Sequence, residues 1–127
     1  MPRTIADYVV IRNDSFMVSN GTPPGQVSAH TFTVPDGTRH EDRSVLYFMA
    51  RIKDPENLHI NIFLNKKPIM DWAAAGDLML FGTFHTVIEG GVLLSGKDAN
   101  TVKFESSGDP ADSATFSDVV LMFQRLD

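Results

Sequence analysis

The sequence predicts an all-β fold: an antiparallel two-sheet sandwich of the jelly-roll kind, with about eight or nine strands, in a single domain over residues 1–127. Short apolar runs recur about every 8–12 residues, as expected of a sandwich or barrel. Gly, Pro, Asn and Asp separate these runs, and several runs alternate apolar with polar residues. The candidate strands are 6–12, 15–18, 26–34, 44–52, 58–64, 68–72, 78–88, 100–106 and 114–125.

The breaks between the candidate strands contain residues that interrupt a β-ladder. The segment 20–25 combines Pro, which lacks the backbone donor, with Gly, which favours dihedral angles outside the strand region. The other breaks that are typical of turns or loops are 35–37, 54–57, 75–77 and 108–110.

Alternation of side chains gives each strand an inner and an outer face. Along 58–64, the aliphatic residues share one face and His59, Asn61 and Phe63 share the other, because side chains alternate across a strand. Three other candidate strands are apolar on both faces, whereas the outer sheet face of a simple monomer should be more polar. We therefore expect a loop, the N-terminal strand, a partner subunit or a ligand to cover the outer faces of these strands. The strands that are apolar on both faces are 44–52, 78–88 and 114–125.

Composition excludes several classes of function. The chain has no cysteine, which excludes disulfides, thiolate metal sites and cysteine nucleophiles. The net charge is −5 and the basic residues are scattered, so we expect no nucleic-acid partner. No apolar run reaches the roughly 18 residues of a membrane helix, and residues 1–7 do not resemble a signal peptide. We expect a protein of the cytoplasm with no membrane partner, unless a leader was removed.

Three stretches in the second half of the chain follow a recurring pattern. Residues 58–69 read as a strand, an Asn-containing hairpin and a second strand, with Lys66 where Gly is common. Residues 91–104 contain leucines, a Gly-bracketed turn and an Asn before an apolar strand, and 116–123 read as a closing strand. In these features the segment 58–124 resembles galactose-binding-like jelly-roll domains. The resemblance implies a module that binds carbohydrate or another ligand, or a structural module beside an enzyme.

The neighbourhood of the only tryptophan is the main candidate for ligand binding. An indole ring can stack on the face of a sugar while a neighbouring carboxylate accepts hydrogen bonds from its hydroxyls. The alternative, which we favour, is that Trp72 packs at the edge of the sandwich. His59 and His85 lie on outer faces and meet only if their strands are neighbours. The candidate ligand-binding residues are Asp71, Trp72, His59, His85 and Arg51.

The densest charged run, 39–43, is the main candidate for a metal site. Asp36, Glu41 and Asp42 offer the oxygen ligands that calcium prefers. Arg39 and Arg43 would oppose a cation, so a solvated loop with alternating charges is the favoured alternative. We expect no cofactor apart from calcium at this loop.

These observations favour a non-catalytic binding module, with carbohydrate as the leading candidate ligand and a small molecule as another. The first alternative is a structural or assembly protein that forms a homo-oligomer through an apolar sheet face. The second is a small hydrolase-type enzyme that uses His59, His85 and a carboxylate. Neither a Gly-x-Ser-x-Gly elbow nor a phosphate-binding glycine loop is present.

Overall fold

A computed structural model describes residues 3–19, 27–53, 59–73, 78–94, 96, 98–107 and 113–126. Within these ranges the chain forms eight strands in two four-stranded antiparallel sheets. The predicted turns at 20–25, 54–57, 75–77 and 108–110 lie outside the described residues. The strands are β1 (Thr4–Ser19), β2 (Val27–Phe32), β3 (Ser44–Lys53), β4 (His59–Leu64), β5 (Lys67–Ala73), β6 (Leu78–Ile88), β7 (Asn100–Ser107) and β8 (Ser113–Leu126).

The chain passes back and forth between the two sheets. Sheet I has the strand order β1-β8-β3-β6, and sheet II has the order β2-β7-β4-β5. Only β4 and β5 are both neighbours in a sheet and consecutive in sequence, so most connections in the described fold cross between sheets, as in Greek-key and jelly-roll folds. The predicted all-β, two-sheet antiparallel sandwich is confirmed.

The count of eight strands instead of nine comes from β1. The candidate strands 6–12 and 15–18 form one strand, because β1 stays paired with β8 through two irregularities in register. The shifts occur between Val10 and Arg12 and between Arg12 and Ser15. Extra residues on one strand are the mark of β-bulges, which bend a strand without ending it.

The core lies between the sheets and follows the predicted alternation. Three phenylalanine rings meet at its centre: Phe48 on β3, Phe104 on β7 and Phe116 on β8, with ring centroids 4.7 to 5.8 Å apart. Each buried Phe side chain contributes about 2–3 kcal/mol by leaving water. The strand β4 contributes Ile60, Ile62 and Leu64, all at most 1% exposed.

The two outer faces differ in chemical character. On sheet I, apolar side chains remain exposed, and β1 lies beside β8 at the edge of the sheet and does not cross its outer face. On sheet II, the outer face is largely polar. Within the described part of the chain, no helix is long and apolar enough to cross a bilayer.

Candidate functional site

The outer face of sheet II places polar side chains around one aromatic ring. Cross-strand partners point to the same face of a sheet, so the register arranges them in rows. These rows are built by β2, β7, β4 and β5, in that order across the sheet. One row holds Ala29, Lys103, Phe63 and Pro68, and the next holds Val27, Glu105, Asn61 and Asp71.

Phe63 and Lys103 form the centre of this face. The Lys103 ammonium lies 4.6 Å from the centroid of the Phe63 ring, which is a cation–π contact. The same ammonium lies 3.4 Å from a carboxylate oxygen of Glu105. All three side chains are partly exposed. The face therefore offers an aromatic surface, a cation and an anion to a bound molecule.

A second polar pair lies further along the same face. His59 Nε2 contacts the carboxylate of Asp71, and the Asp71 side chain is 72% exposed. Asn61 stands beside Asp71, its direct partner in the register. Of the residues predicted to bind ligand, the structure brings His59 and Asp71 together.

A surface cavity of about 500 Å³ adjoins Phe63. It lies where β4, β7 and the turn between β4 and β5 meet. Its lining combines one phenyl ring, one hydroxyl, one amide and two ammonium groups. The lining residues are Phe63, Asn65, Lys66, Thr101 and Lys103.

Two asparagines hold the wall of this cavity in place. The Asn65 Oδ1 accepts a hydrogen bond from the Thr101 amide at 2.9 Å, and its Nδ2 donates to the Val92 carbonyl at 2.8 Å. The fully buried Asn100 accepts from the Leu94 amide at 2.7 Å and donates to the Leu94 carbonyl at 2.8 Å. Asn65 also donates to Asn100, at 2.8 Å. Asn65 and Asn100 lie in two of the three segments that carry the resemblance, 58–69 and 91–104.

Trp72 lies on the opposite face from Asp71. The register pairs Trp72 with the buried Ile60, and its ring centroid lies 4.6 Å from that of Phe84. Adjacent residues of a strand point to opposite faces, so a ligand on the Asp71 face does not reach the indole. Because β5 and β6 are edge strands of the two sheets, the pair closes one side of the sandwich. This geometry favours the packing alternative for Trp72.

His85 and Arg51 lie on the other sheet. His85 pairs with Tyr47, and Arg51 pairs with Thr115, on the outer face of sheet I. His59 and His85 therefore stand on opposite outsides of the sandwich. Stacked sheets are about 10 Å apart, which places the two imidazoles beyond hydrogen-bond reach of one another. The structure does not assemble the catalytic group that the hydrolase alternative requires.

Two of the three predicted calcium ligands, Glu41 and Asp42, lie against the guanidinium of Arg39. The Arg39 Nε lies 2.7 Å from Asp42 and 3.5 Å from Glu41. Among the residues that the structure describes, no three His, Cys, Asp or Glu side chains form a group that could hold a metal ion. Calcium at Asp36, Glu41 and Asp42 stays a prediction that this geometry does not support.

The outer face of sheet I carries an apolar patch. The register brings Tyr8, Met122, Val45 and Val87 into one row and Val10, Val120 and Tyr47 into the next. Tyr8 is 63% exposed, and Val10 and Val87 are each 49% exposed. Part of this patch lies on the strands 44–52, 78–88 and 114–125, which the sequence showed to be apolar on both faces, and β1 adds Tyr8 and Val10.

A half-buried histidine lies between β1 and β2, away from both outer faces. The guanidinium of Arg12 lies 3.3 Å from His30 Nδ1 and can only donate, so Nδ1 is an acceptor and Nε2 carries the proton. The Nε2–H then donates to Ser28 Oγ at 2.9 Å. Burial, followed by the positive charge of Arg12, lowers the pKa of His30 below 6.5. This histidine is a neutral packing residue.

Phe63 and Lys103, at the centre of the face, are not among the site residues that the sequence predicted. The alternation along 58–64 predicts Phe63 on the outer face, and the same rule applied to 100–106 puts Lys103 and Glu105 on the side opposite to Val102 and Phe104. That these strands are neighbours follows only from the register, in which Phe63 meets Lys103. The only earlier signal was an aromatic residue on the wet side of a strand.

Similar solved structures include carbohydrate-binding modules. The xylan-binding module CBM15 has a TM-score of 0.57 at 14% sequence identity, over 95% of this chain and 97% of that chain. BuGH86 in complex with neoagarooctaose has a TM-score of 0.62 at 13% identity, over 98% of this chain and 20% of that one. Dimeric latent PorU from Porphyromonas gingivalis has a TM-score of 0.60 at 9% identity, over 98% and 13%.

These similarities establish the fold. The chain has a jelly-roll β-sandwich fold, which confirms, at the level of the fold, the resemblance to galactose-binding-like domains seen in the sequence. It spans only a fifth or less of the length of BuGH86 and PorU. No protein-family model matches the sequence, and no curated protein matches it.

Proposed function

We propose that this chain is a non-catalytic carbohydrate-binding module whose ligand lies on the outer face of sheet II. The observation that carries the proposal is the arrangement of that face, where Phe63 stands in register among Lys103, Glu105 and Asn61. Fold alone does not define function, so the proposal depends on this surface.

The chemistry of the face suits a sugar. A pyranose ring has an apolar C–H surface that packs against an aromatic ring, and hydroxyls at its edge that both donate and accept hydrogen bonds. Phe63 supplies the apolar contact. The amide of Asn61 and the carboxylate of Asp71 supply acceptors, and Lys103 supplies a donor. A face four strands wide accommodates several sugar units of a chain.

The structural neighbours support the same class of ligand. CBM15 is described as xylan-binding, and BuGH86 was crystallised with neoagarooctaose. Both share the sandwich fold with this chain at low sequence identity, so neither one selects the sugar. A panel of polysaccharides is therefore the first experiment.

Substitution of Phe63 tests the proposed face. Affinity electrophoresis and calorimetric titration against xylan, agarose, polygalacturonate and carrageenan should identify at least one ligand. For that ligand, Phe63→Ala should weaken binding about tenfold or more. An aromatic contact contributes about 0.5–1.5 kcal/mol in addition to the burial of its apolar area, and about 1.4 kcal/mol corresponds to a tenfold change in affinity. Tyr8→Ala, which removes an exposed aromatic ring from the opposite sheet, is the matched control and should leave affinity unchanged.

Two results would contradict the proposal. One is the absence of binding to any polysaccharide in the panel. The other is an affinity that Phe63→Ala leaves unaltered. Repeating the titration with added calcium and with a chelator tests whether the loop of Asp36, Glu41 and Asp42 contributes a metal.

The apolar patch on sheet I supports a second candidate function, self-association. A second copy of the chain could cover Tyr8, Val10 and Val87 through a two-fold interface, in which the same patch serves both partners. Four strands about 4.8 Å apart and two to three rows of side chains give roughly 400 Å² per partner. That is about half of what a stable interface usually buries, so we expect a weak, concentration-dependent dimer.

Sedimentation velocity from micromolar to millimolar concentration tests this candidate. The chain should shift from monomer toward dimer, and Val10→Glu should abolish the shift. Val27→Glu is the matched control, because Val27 is 51% exposed on the other sheet. A monomer throughout this range would exclude self-association through the patch.

A further inference from the structure

The turn between β4 and β5 holds a lysine in a backbone conformation that favours glycine. Asn65 and Lys66 have φ angles of 51° and 71°, the two left-handed residues expected of a type I′ hairpin turn. Asn is tolerated in this region and Gly is preferred at the second position, whereas the Cβ of a lysine is disfavoured. The turn itself therefore does not explain why Lys66 is there, and strained residues of this kind often have a functional role.

Asn65 makes the hydrogen bonds that hold the turn in place. Its backbone amide donates to the Thr101 carbonyl at 2.9 Å, and its side chain bonds to Thr101, Val92 and Asn100. The Lys66 side chain, in contrast, is exposed. None of the ion pairs within the described residues involves Lys66. Its ammonium is thus available to a ligand.

The cavity beside Phe63 concentrates positive charge on an acidic protein. The chain carries a net charge of −5, yet both charged residues that line this cavity, Lys66 and Lys103, are cations. The hydroxyl of Thr101 is the one neutral side-chain donor of the lining that is not already committed to the turn. Glu105, the carboxylate that contacts Lys103 at 3.4 Å, is outside the lining.

We propose that this cavity binds the anionic substituent of an acidic polysaccharide. The substituent is a carboxylate, as in a uronate, or a sulfate ester, and its charge is met by Lys66 and Lys103. Phe63 forms the apolar wall for the sugar ring that carries it. This inference rests on the proposed carbohydrate-binding function and names the class of ligand for the same face.

Matched ligands separate charge recognition from binding of the sugar backbone. Polygalacturonate is compared with fully methyl-esterified pectin, and carrageenan with agarose, by calorimetric titration at low and moderate salt. The chain should bind the acidic member of one pair about tenfold or more tightly than the neutral member, a difference of about 1.4 kcal/mol. The preference should decrease as salt screens the charges. The pair that responds identifies the carboxylate or the sulfate.

The variant Lys66→Gly tests the role of the turn lysine. Glycine is favoured at this φ, so the thermal midpoint should stay the same or rise while affinity for the acidic polysaccharide falls about fivefold or more. A merely structural lysine would not combine these two effects. Lys67→Gln is the matched control: it removes the adjacent positive charge, and Lys67 lines the neighbouring cavity with Glu89 but not the cavity beside Phe63, whereas Lys66 lines both. It should leave affinity nearly unchanged.

The possible outcomes distinguish the two proposals. If acidic and neutral members of each pair bind equally and Lys66→Gly has no effect, the anion site is wrong while the carbohydrate-binding face stands. If Lys66→Gly and Lys67→Gln weaken binding equally, the polysaccharide is held by general charge attraction and not by a defined anion site, and the inference fails. If no polysaccharide binds, both proposals fail together.

Discussion

At the scale of single residues, His30 couples the fold to pH. Its imidazole accepts a hydrogen bond from Arg12, and Asp14 holds that guanidinium at 3.0 Å. Protonation of His30 would replace this hydrogen bond with repulsion between two cations. Asp14 opposes that effect, but burial and Arg12 outweigh it and lower the pKa of His30.

The sign of the resulting pH dependence follows from the two states of the chain. In the unfolded chain the histidine has a pKa near 6.5, and in the folded chain its pKa is lower. As the pH falls below about 6.5, the unfolded chain takes up the proton first, and the free energy of unfolding decreases. The contribution of the neutral histidine is complete above that pH.

Urea denaturation between pH 8 and pH 5.5 measures this effect. The free energy of unfolding should fall across the range, and His30→Gln should flatten the fall. His40→Gln, in an exposed loop, should retain the slope of the parent chain. An identical slope in the parent and in His30→Gln would show that His30 does not carry the dependence.

At the scale of strands, alternation predicted much of the fold and register decided the site. The residues Ile60 and Ile62 were placed inside, and Phe63 outside, from the period of two alone. The same rule indicates that Asp71 and Trp72 point to opposite faces, and the structure bears this out. The contact of His59 with Asp71 was beyond sequence reasoning, because it depends on an irregularity of register between Ile62 and Phe63.

Two further features of the strands were not visible in the sequence. The break proposed at Asn13 and Asp14 is absorbed by irregular pairing of β1 with β8, since a bulge admits extra residues without ending the strand. The partner of each strand was also open, because β2 and β7 are far apart in sequence and pair only through the sandwich topology.

The edge formed by β5 and β6 yields a prediction about Trp72. Its ring packs on Phe84 across the open side of the sandwich. Trp72→Ala should lower the free energy of unfolding by about 2–4 kcal/mol, toward the lower part of the range for large-to-small core changes because the ring is only partly buried. Urea denaturation gives this value, and polysaccharide affinity measured below the transition should be unchanged. Loss of affinity in a Trp72→Ala variant that still folds would show that the indole is part of the binding site.

At the scale of the whole molecule, the sandwich presents two outer faces of different chemical character. Sheet II shows polar groups around Phe63, while sheet I shows the apolar patch around Tyr8 and Val10. The two faces are separated by the thickness of the core, so the proposed binding on one and the proposed self-association on the other would not compete. If both proposals hold, a polysaccharide would bind to either one or two copies of the chain.

The location of the ligand on the molecule tests the account most directly. A titration of isotope-labelled protein with a bound oligosaccharide, followed by backbone amide chemical shifts, reports every contact at once. We predict that the shifts concentrate on β4, β5 and β7, with the largest changes at Phe63, Lys66 and Lys103. Changes concentrated on sheet I, or on the loop from Asp36 to Asp42, would contradict the claim that the outer face of sheet II is the binding surface.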